Sequence, residues 1–266
     1  MSPLIAQSLR DYRRTLIGWT IGISAFLSLY VSIYTSISAN PEVYGPAALA
    51  KFPGALKDLM GGMADITSGP GYLQSVVYQL FIPMLFIACA CTLGNRAIAA
   101  PEESGVLELT VTLPIPRTSL VLQRFAAAVL GLLAVAAVSF LVTWAAAANA
   151  GIGVPADRLL AGHTGVFLLG LFFCALTLTV GAATGRRALA SGVAGVWAVG
   201  GYAVVTLGQS VPAIAWLKWI VPYYYYLDGR PLYRGFPVGD YLVLAGATAV
   251  LLLTAALAFD RRDVGV

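Results

Sequence analysis

Charge is what this chain lacks most. Asp, Glu, Lys and Arg make up 11% of its 266 residues, where an ordinary soluble domain carries about 25%. Six stretches contain none of the four at all: Thr15 to Pro41, Ile66 to Asn95, Phe125 to Ala156, Leu159 to Gly185, Ala188 to Leu217 and Tyr241 to Phe259. That distribution excludes a soluble globular protein. Carriers of ions or protons usually place acids or bases inside their spans. Here the groups at depth are uncharged: Tyr78, Gln79, Thr92, Ser139, Thr143, Trp197 and Tyr202. Hydrogen bonding between helices accounts for most of them, while Tyr78, Gln79 and Tyr202 are candidates for lining a translocation path.

Histidine and cysteine are scarce as well. His163 is the only histidine, and Cys89, Cys91 and Cys174 all fall in charge-free stretches. Zinc centres need paired spacings such as HExxH or CxxC, which are missing, so no metal site is expected. A serine nucleophile would need a base within reach. Ser191 and His163 belong to opposite ends of neighbouring spans, and Leu189 stands where a nucleophile motif has glycine. Lysine is the third scarcity. A P-loop requires Gly-Lys-Ser or Gly-Lys-Thr, but Lys51, Lys57 and Lys218 are followed by Phe52, Asp58 and Trp219. The chain is therefore not expected to be an enzyme or to hold a cofactor, and any ATP-driven work must draw on another polypeptide.

Apolar sequence fills the remainder, with 59% hydrophobic residues and a mean hydropathy of +0.83. Crossing about 30 Å of hydrocarbon takes roughly 20 apolar residues. Each charge-free stretch holds one such span, expected near residues 15–37, 73–95, 120–146, 163–184, 189–208 and 239–259. The fold class is an all-α, multi-pass integral membrane protein with six spans. No repeat or linker divides residues 1–266, which read as one integral membrane domain. The first run is too long for a signal peptide.

Basic residues orient the spans, because Lys and Arg are retained on the cytoplasmic side of short loops. With both termini inside, the cytoplasmic set is Arg10, Arg13, Arg14, Arg96, Arg117, Arg124, Arg186, Arg187, Arg261 and Arg262. Only Lys51, Lys57, Arg158, Lys218, Arg230 and Arg234 lie outside. The net charge of +4 then follows from contact with anionic lipid and calls for no nucleic acid. Leu4, Ile5, Leu9 and Tyr12 recur at helical spacing opposite charged residues, which predicts an interfacial helix over Pro3 to Arg14. Phe52, Leu56, Leu59, Met60 and Met63 predict a second, outside. Trp216, Trp219 and Tyr223 to Tyr226 form an aromatic belt before the last span. Glycines 181, 185, 192, 195, 200 and 201 mark close helix packing, within or between subunits.

One charged island, Glu102 to Arg117, interrupts the apolar sequence between the second and third spans. Pro101 suits the first turn of a helix, Glu102 and Glu103 its positive end, and Pro114 and Pro116 its stop. Val106, Leu109 and Leu113 form an apolar stripe opposite Ser104, Glu108 and Thr112. Residues Leu107 to Leu113 also alternate in the manner of a strand. An isolated strand would leave its backbone unpaired beside the membrane, which favours the helix.

At these residues the chain resembles the ABC-2 type permeases, membrane subunits of ATP-binding cassette transporters that are mostly exporters. Glu102 or Glu103, Gly105, Glu108, Pro114, Arg117 and Arg124 occupy the positions of that family's pattern. Val106 replaces its usual Thr, and Pro116 a small polar residue. The likeness extends to Gly69-Pro70-Gly71-Tyr72-Leu73, Pro222-Tyr223-Tyr224 and the terminal Phe259 to Val264. Importer permeases carry two alanines after the Glu, where this chain has Ser104 and Gly105.

The resemblance implies a cytoplasmic coupling helix between spans two and three, with Glu102, Glu103, Gly105, Glu108, Pro114 and Arg117 as its ATPase-coupling residues. It also implies two copies of an ABC ATPase holding ATP and Mg, and a second permease copy or paralogue in the bilayer. Efflux of a hydrophobic or amphipathic molecule across a bacterial inner membrane is the function expected. A non-transporting anchor or sensor subunit is the alternative.

Overall fold

The computed structural model describes residues 2–44, 66–107, 116–208 and 211–262. Among these residues all regular structure is helical. Six helices are long and apolar enough to span a membrane: α1 (Pro3–Ser38), α2 (Gly69–Ala97), α4 (Arg117–Asn149), α5 (Ala156–Thr184), α6 (Arg187–Leu207) and α8 (Val238–Arg261). Two short helices complete the elements used below, α3 (Ala99–Glu103) and α7 (Pro222–Leu227). Each expected span falls on one long helix, and most of the helices run a few residues further at both ends. The proximal end of the bundle is where α1 begins and α8 finishes.

Helix α5 sits at the centre. It is apolar around its whole circumference, as a helix enclosed by others must be, and it packs on α2, α4, α6 and α8. The crossing with α2 is close: a Cβ at Gly94 would stand 2.6 Å from the Cys174 carbonyl oxygen. Only glycine permits that approach. Helix α1 lies along α4 on one stripe, with Ser8, Tyr12, Ile23, Leu27 and Val31 buried while Ile17, Ile21, Leu29 and Ile33 face outward. The outward set is the lipid-facing side of a helix that one neighbour holds.

The structure differs from the sequence reading at the N-terminus. Pro3 to Arg14 is not a separate interfacial helix but the first part of α1, which continues through Thr15 without a break. No glycine or proline lies between Ser8 and Ile17 to end it. Its 36 residues measure about 54 Å at 1.5 Å per residue, well beyond the hydrocarbon thickness, so its charged first turns project past the apolar layer. The outer amphipathic segment around Phe52 to Met63 lies outside the described residues.

Helix α2 is not uniform. Ser68 caps its start by accepting the Gly71 N–H at 3.2 Å, and residues Leu73–Phe81 then wind as a π-helix. The Ile82 N–H reaches the Val77 carbonyl, five residues back. Pro83 explains the widening, since its ring would collide with the carbonyl four residues before it and it has no N–H to give. The Tyr78 carbonyl, whose i+5 neighbour is that proline, takes the Tyr226 hydroxyl instead at 2.7 Å. Burial holds the Tyr226 phenol well above its ordinary pKa, keeping it a donor.

At the distal end Pro212–Ile220 forms a 3₁₀ segment with no buried residue. Trp216 and Trp219 stand exposed on it, and Lys218 Nζ lies 4.9 Å from the Trp219 ring and 5.2 Å from that of Tyr224. Amphipathic rings with a nearby cation suit the headgroup level.

Candidate functional site

The described part of the charged island, Glu102 to Leu107, begins against the ends of α5, α6 and α8. Helix α2 stops at Ala97, Ile98 leaves the helical region at φ −132°, and α3 occupies only Ala99–Glu103. Gly105 then adopts φ +73°, and no described atom lies within 4 Å of where a Cβ would stand, so the backbone angle, not crowding, selects glycine there. The chain resumes helically at Val106, which is exposed, and Leu107, which is fully buried. A helix opening at Pro101 is therefore not what forms. Pro101 lies inside α3, and Glu102 and Glu103 close that helix because Gly105 turns the chain away.

Both carboxylates have partners within the chain. Glu102 Oε1 forms an ion pair with Arg262 at the end of α8. Glu103 Oε1 accepts the Arg187 backbone N–H at 2.7 Å. That N–H belongs to the first residue of α6, whose own N-cap, Arg186, offers no capping side chain. Glu103 thus supplies, from 84 residues away, the acceptor and negative charge that a helix start favours. Arg117, first residue of α4, donates from Nη1 to the Arg262 carbonyl at 2.5 Å.

Gly185 makes room for this arrangement. It ends α5 in the left-handed region at φ +68°, its N–H bonded to the Gly181 carbonyl at 2.8 Å. A Cβ there would sit 2.8 Å from Glu102 Cδ and 3.0 Å from Arg262 Nη2. Next to the turn, Arg124 donates to the last carbonyl of α2, Ala97, at 2.6 Å, and Asn95 donates to Ser191 on α6 at 2.8 Å. The 99–107 segment continues from α2, packs on α5 at Gly181 and Gly185, and is bonded to the start of α6 and the end of α8. The two bonds made by Glu102 and Glu103 are charge-assisted, the strong class.

The predicted residues separate accordingly. Glu102, Glu103, Gly105 and Arg117 come together here, whereas Glu108 and Pro114, like Leu109 and Leu113, lie outside the described residues. Arg262, Gly185 and Arg187 are the members that sequence reasoning missed. Their signals were present in the terminal Arg pair and in the Gly-Arg-Arg after the fourth span, but nothing in spacing ties either to Glu102.

The candidate path residues do not form one surface. Tyr78 is fully buried, its hydroxyl 2.7 Å from His163 Nδ1, which also lies 3.1 Å from the Leu159 carbonyl. That side chain is committed to the interior of this subunit. Tyr202 is 8% exposed and meets Tyr223 edge-on at 5.8 Å, while Gln79 is half-buried. The glycines divide too: Gly181 packs on Ala99 and Gly201 on Val221, but a Cβ at Gly192, Gly195 or Gly200 would meet no atom of another described element within 4 Å. No group of His, Cys, Asp and Glu able to hold a metal occurs among the described residues.

Comparison with known proteins agrees with this architecture. No curated protein matches the chain significantly. The model of the family described as ABC-2 family transporter protein matches residues 3–264, nearly the full length, and the chain belongs to that family of transporter membrane subunits.

Proposed function

We propose that this chain is the membrane subunit of an ABC exporter, working with a separate ATPase, and that the 99–107 segment receives the ATPase's movement. Family membership implies an ABC transporter assembly with an ATPase partner. The observation that carries the coupling role is the pair of bonds from consecutive glutamates, Glu102 to Arg262 and Glu103 to the Arg187 N–H. A push on one short turn would reach α8 through the first and α6 through the second.

In this reading the proximal end is cytoplasmic, consistent with the ten arginines assigned to it. Two permease chains and two ATPase copies, which would hold ATP and Mg, complete the transporter in a bacterial inner membrane. Glu108, Pro114 and the residues between them would supply the contact surface, and Glu102, Glu103, Gly105 and Arg117 the transmission. The substrate is hydrophobic or amphipathic, such as a drug, antibiotic or lipid-like molecule, because the spans carry uncharged polar and aromatic groups.

Co-expression with the ATPase partner, purification in mild detergent and reconstitution into vesicles test the reading. Glu103→Ala with Glu108→Ala should leave ATP hydrolysis running while transport falls. Transport unchanged in the variant overturns the coupling role. Failure of any ABC ATPase to co-purify with the wild type overturns the transporter reading as a whole.

A further inference from the structure

Two arginines at the proximal end close no ion pair among the described residues, and the single Asp11 carboxylate is the acid that acts on Arg124 from the same wall. Arg96, near the end of α2, and Arg124, in the third turn of α4, line one cavity of about 490 Å³ between the first turns of α1 and the α3 turn. Each guanidinium has five N–H donors, and their hydrogen bonds to the described residues use Nη1 alone. Arg96 Nη1 meets Thr15 Oγ1 at 2.6 Å and the Asp11 carbonyl at 3.2 Å, and Arg124 Nη1 meets the Ala97 carbonyl. The one acid on the wall, Asp11, closes no ion pair with either arginine.

Two half-buried cations facing one carboxylate leave the wall with a net positive charge. Burial disfavours such charge unless it is compensated. Tyr12, Ser8 and Gln7 add groups to the same wall that can donate to an anion, while Ser104 Oγ donates to the Pro101 carbonyl at 3.2 Å. Planar guanidiniums match the paired oxygens of phosphate better than any other side chain. Leu4 and Val106 make the mouth of the cavity apolar, and its volume lies in the range of small-ligand pockets.

We propose that this cleft binds a phosphate-class anion. Its position favours an anionic phospholipid headgroup as the source, because the cavity opens where α2 ends and α4 begins, at the level at which spans leave the hydrocarbon. Bound there, the anion joins α1, α2 and α4 through Arg96, Arg124 and the hydroxyls, beside the turn that carries Glu102. The inference does not depend on the coupling role or on which leaflet the proximal end faces.

The test uses the full-length chain in nanodiscs of phosphatidylcholine doped with phosphatidylglycerol, read by native mass spectrometry. A second arm adds inorganic phosphate to the detergent-solubilised protein and follows its melting temperature. Wild type should retain phosphatidylglycerol over phosphatidylcholine, with about tenfold weaker retention for each of Arg96→Gln and Arg124→Gln. Arg158→Gln, a charge removed at the distal end, should change nothing. Val106→Glu, at an exposed position of the mouth, should weaken binding without touching either arginine, which guards against misfolding of the arginine variants. Lipid selectivity that the Arg96, Arg124 and Val106 substitutions abolish supports the headgroup. A stabilisation by phosphate, lost in the same variants without lipid selectivity, supports a free anion in the same cleft. Equal behaviour of wild type and variants in both arms overturns the site.

Discussion

Replacing Arg262 by Ala removes the partner of Glu102 and should weaken the tie between α3 and α8. Both side chains are about one-fifth exposed, 21% each, so solvent screens them less than a surface pair, for which about 0–1 kcal/mol is usual. Hydrogen bonds to charged groups contribute about 1.5–3 kcal/mol net. Only one contact is made, however: Glu102 Oε2 and Arg262 Nη1 are buried without a hydrogen-bond partner among the described residues. Their desolvation offsets part of the gain, which places the side-chain coupling at about 1–2 kcal/mol.

A double-mutant cycle of Glu102→Ala, Arg262→Ala and the pair isolates that quantity. Unfolding in mixed micelles by added SDS, followed through the five tryptophans, gives the four free energies. The Arg117 bond to the Arg262 carbonyl survives every variant in the cycle, so the end of α8 is not released altogether. Single losses that add to the double within about 0.5 kcal/mol, the scatter of independent sites, would refute the claim that this pair holds the segment.

Gly185→Ala should destabilise more than Gly151→Ala in the same assay. Both glycines sit at φ +68°, where Ala costs about 1–2 kcal/mol, but only at Gly185 would the methyl strike Glu102 and Arg262. Tyr226→Phe should cost about 1–3 kcal/mol by orphaning the Tyr78 carbonyl next to Pro83. Tyr225→Phe, whose hydroxyl meets an exposed carbonyl of Trp219, should change stability little. For orientation, Ser104→Cys and Asp157→Cys place thiols at exposed positions of opposite ends. In intact cells an impermeant maleimide should label the second and reach the first only after permeabilisation.

The long helices were legible because the bilayer imposes a rule on sequence: a span tolerates almost no charge, and six stretches have none. Pattern fails where tertiary contact decides. Nothing local separates Arg14 from Thr15, so a change in amphipathicity was read as a change of element where α1 simply continues. Glu102 and Glu103 suited a helix start by local rules, yet each is used by a distant group, one by α8 and one as the cap of α6. Gly105 was visible as part of a family pattern, but its positive φ, which ends α3 at Glu103, is a fact of the backbone. Pro83 lies inside the second charge-free stretch, but no local rule shows that Tyr226 would take up the Tyr78 carbonyl.

Under the proposed role, the way the helices are held determines which of them can respond. Helix α5 is enclosed by four neighbours and locked distally, where the Tyr78 hydroxyl lies 2.7 Å from His163 Nδ1 and Tyr241 donates to the Ala161 carbonyl at 2.7 Å. A turn pushing on that body would meet a close-packed core that deforms little. Helix α6 is different, since it packs on α5 less extensively than α8 does. Glu103 grips it at its first N–H, along the helix axis, where an anion interacts most favourably with the dipole. Force applied through Glu103 therefore acts on the helix held less closely to α5, whereas the Glu102 ion pair acts on α8, which packs on α5 more extensively. Losing Glu103 should then impair transport more than losing Glu102, even though the Glu102 ion pair holds the segment by its side chains. Vesicle transport by Glu102→Ala and Glu103→Ala, each normalised to its ATP hydrolysis, reads that order directly, and the reverse order would place the moving element at α8.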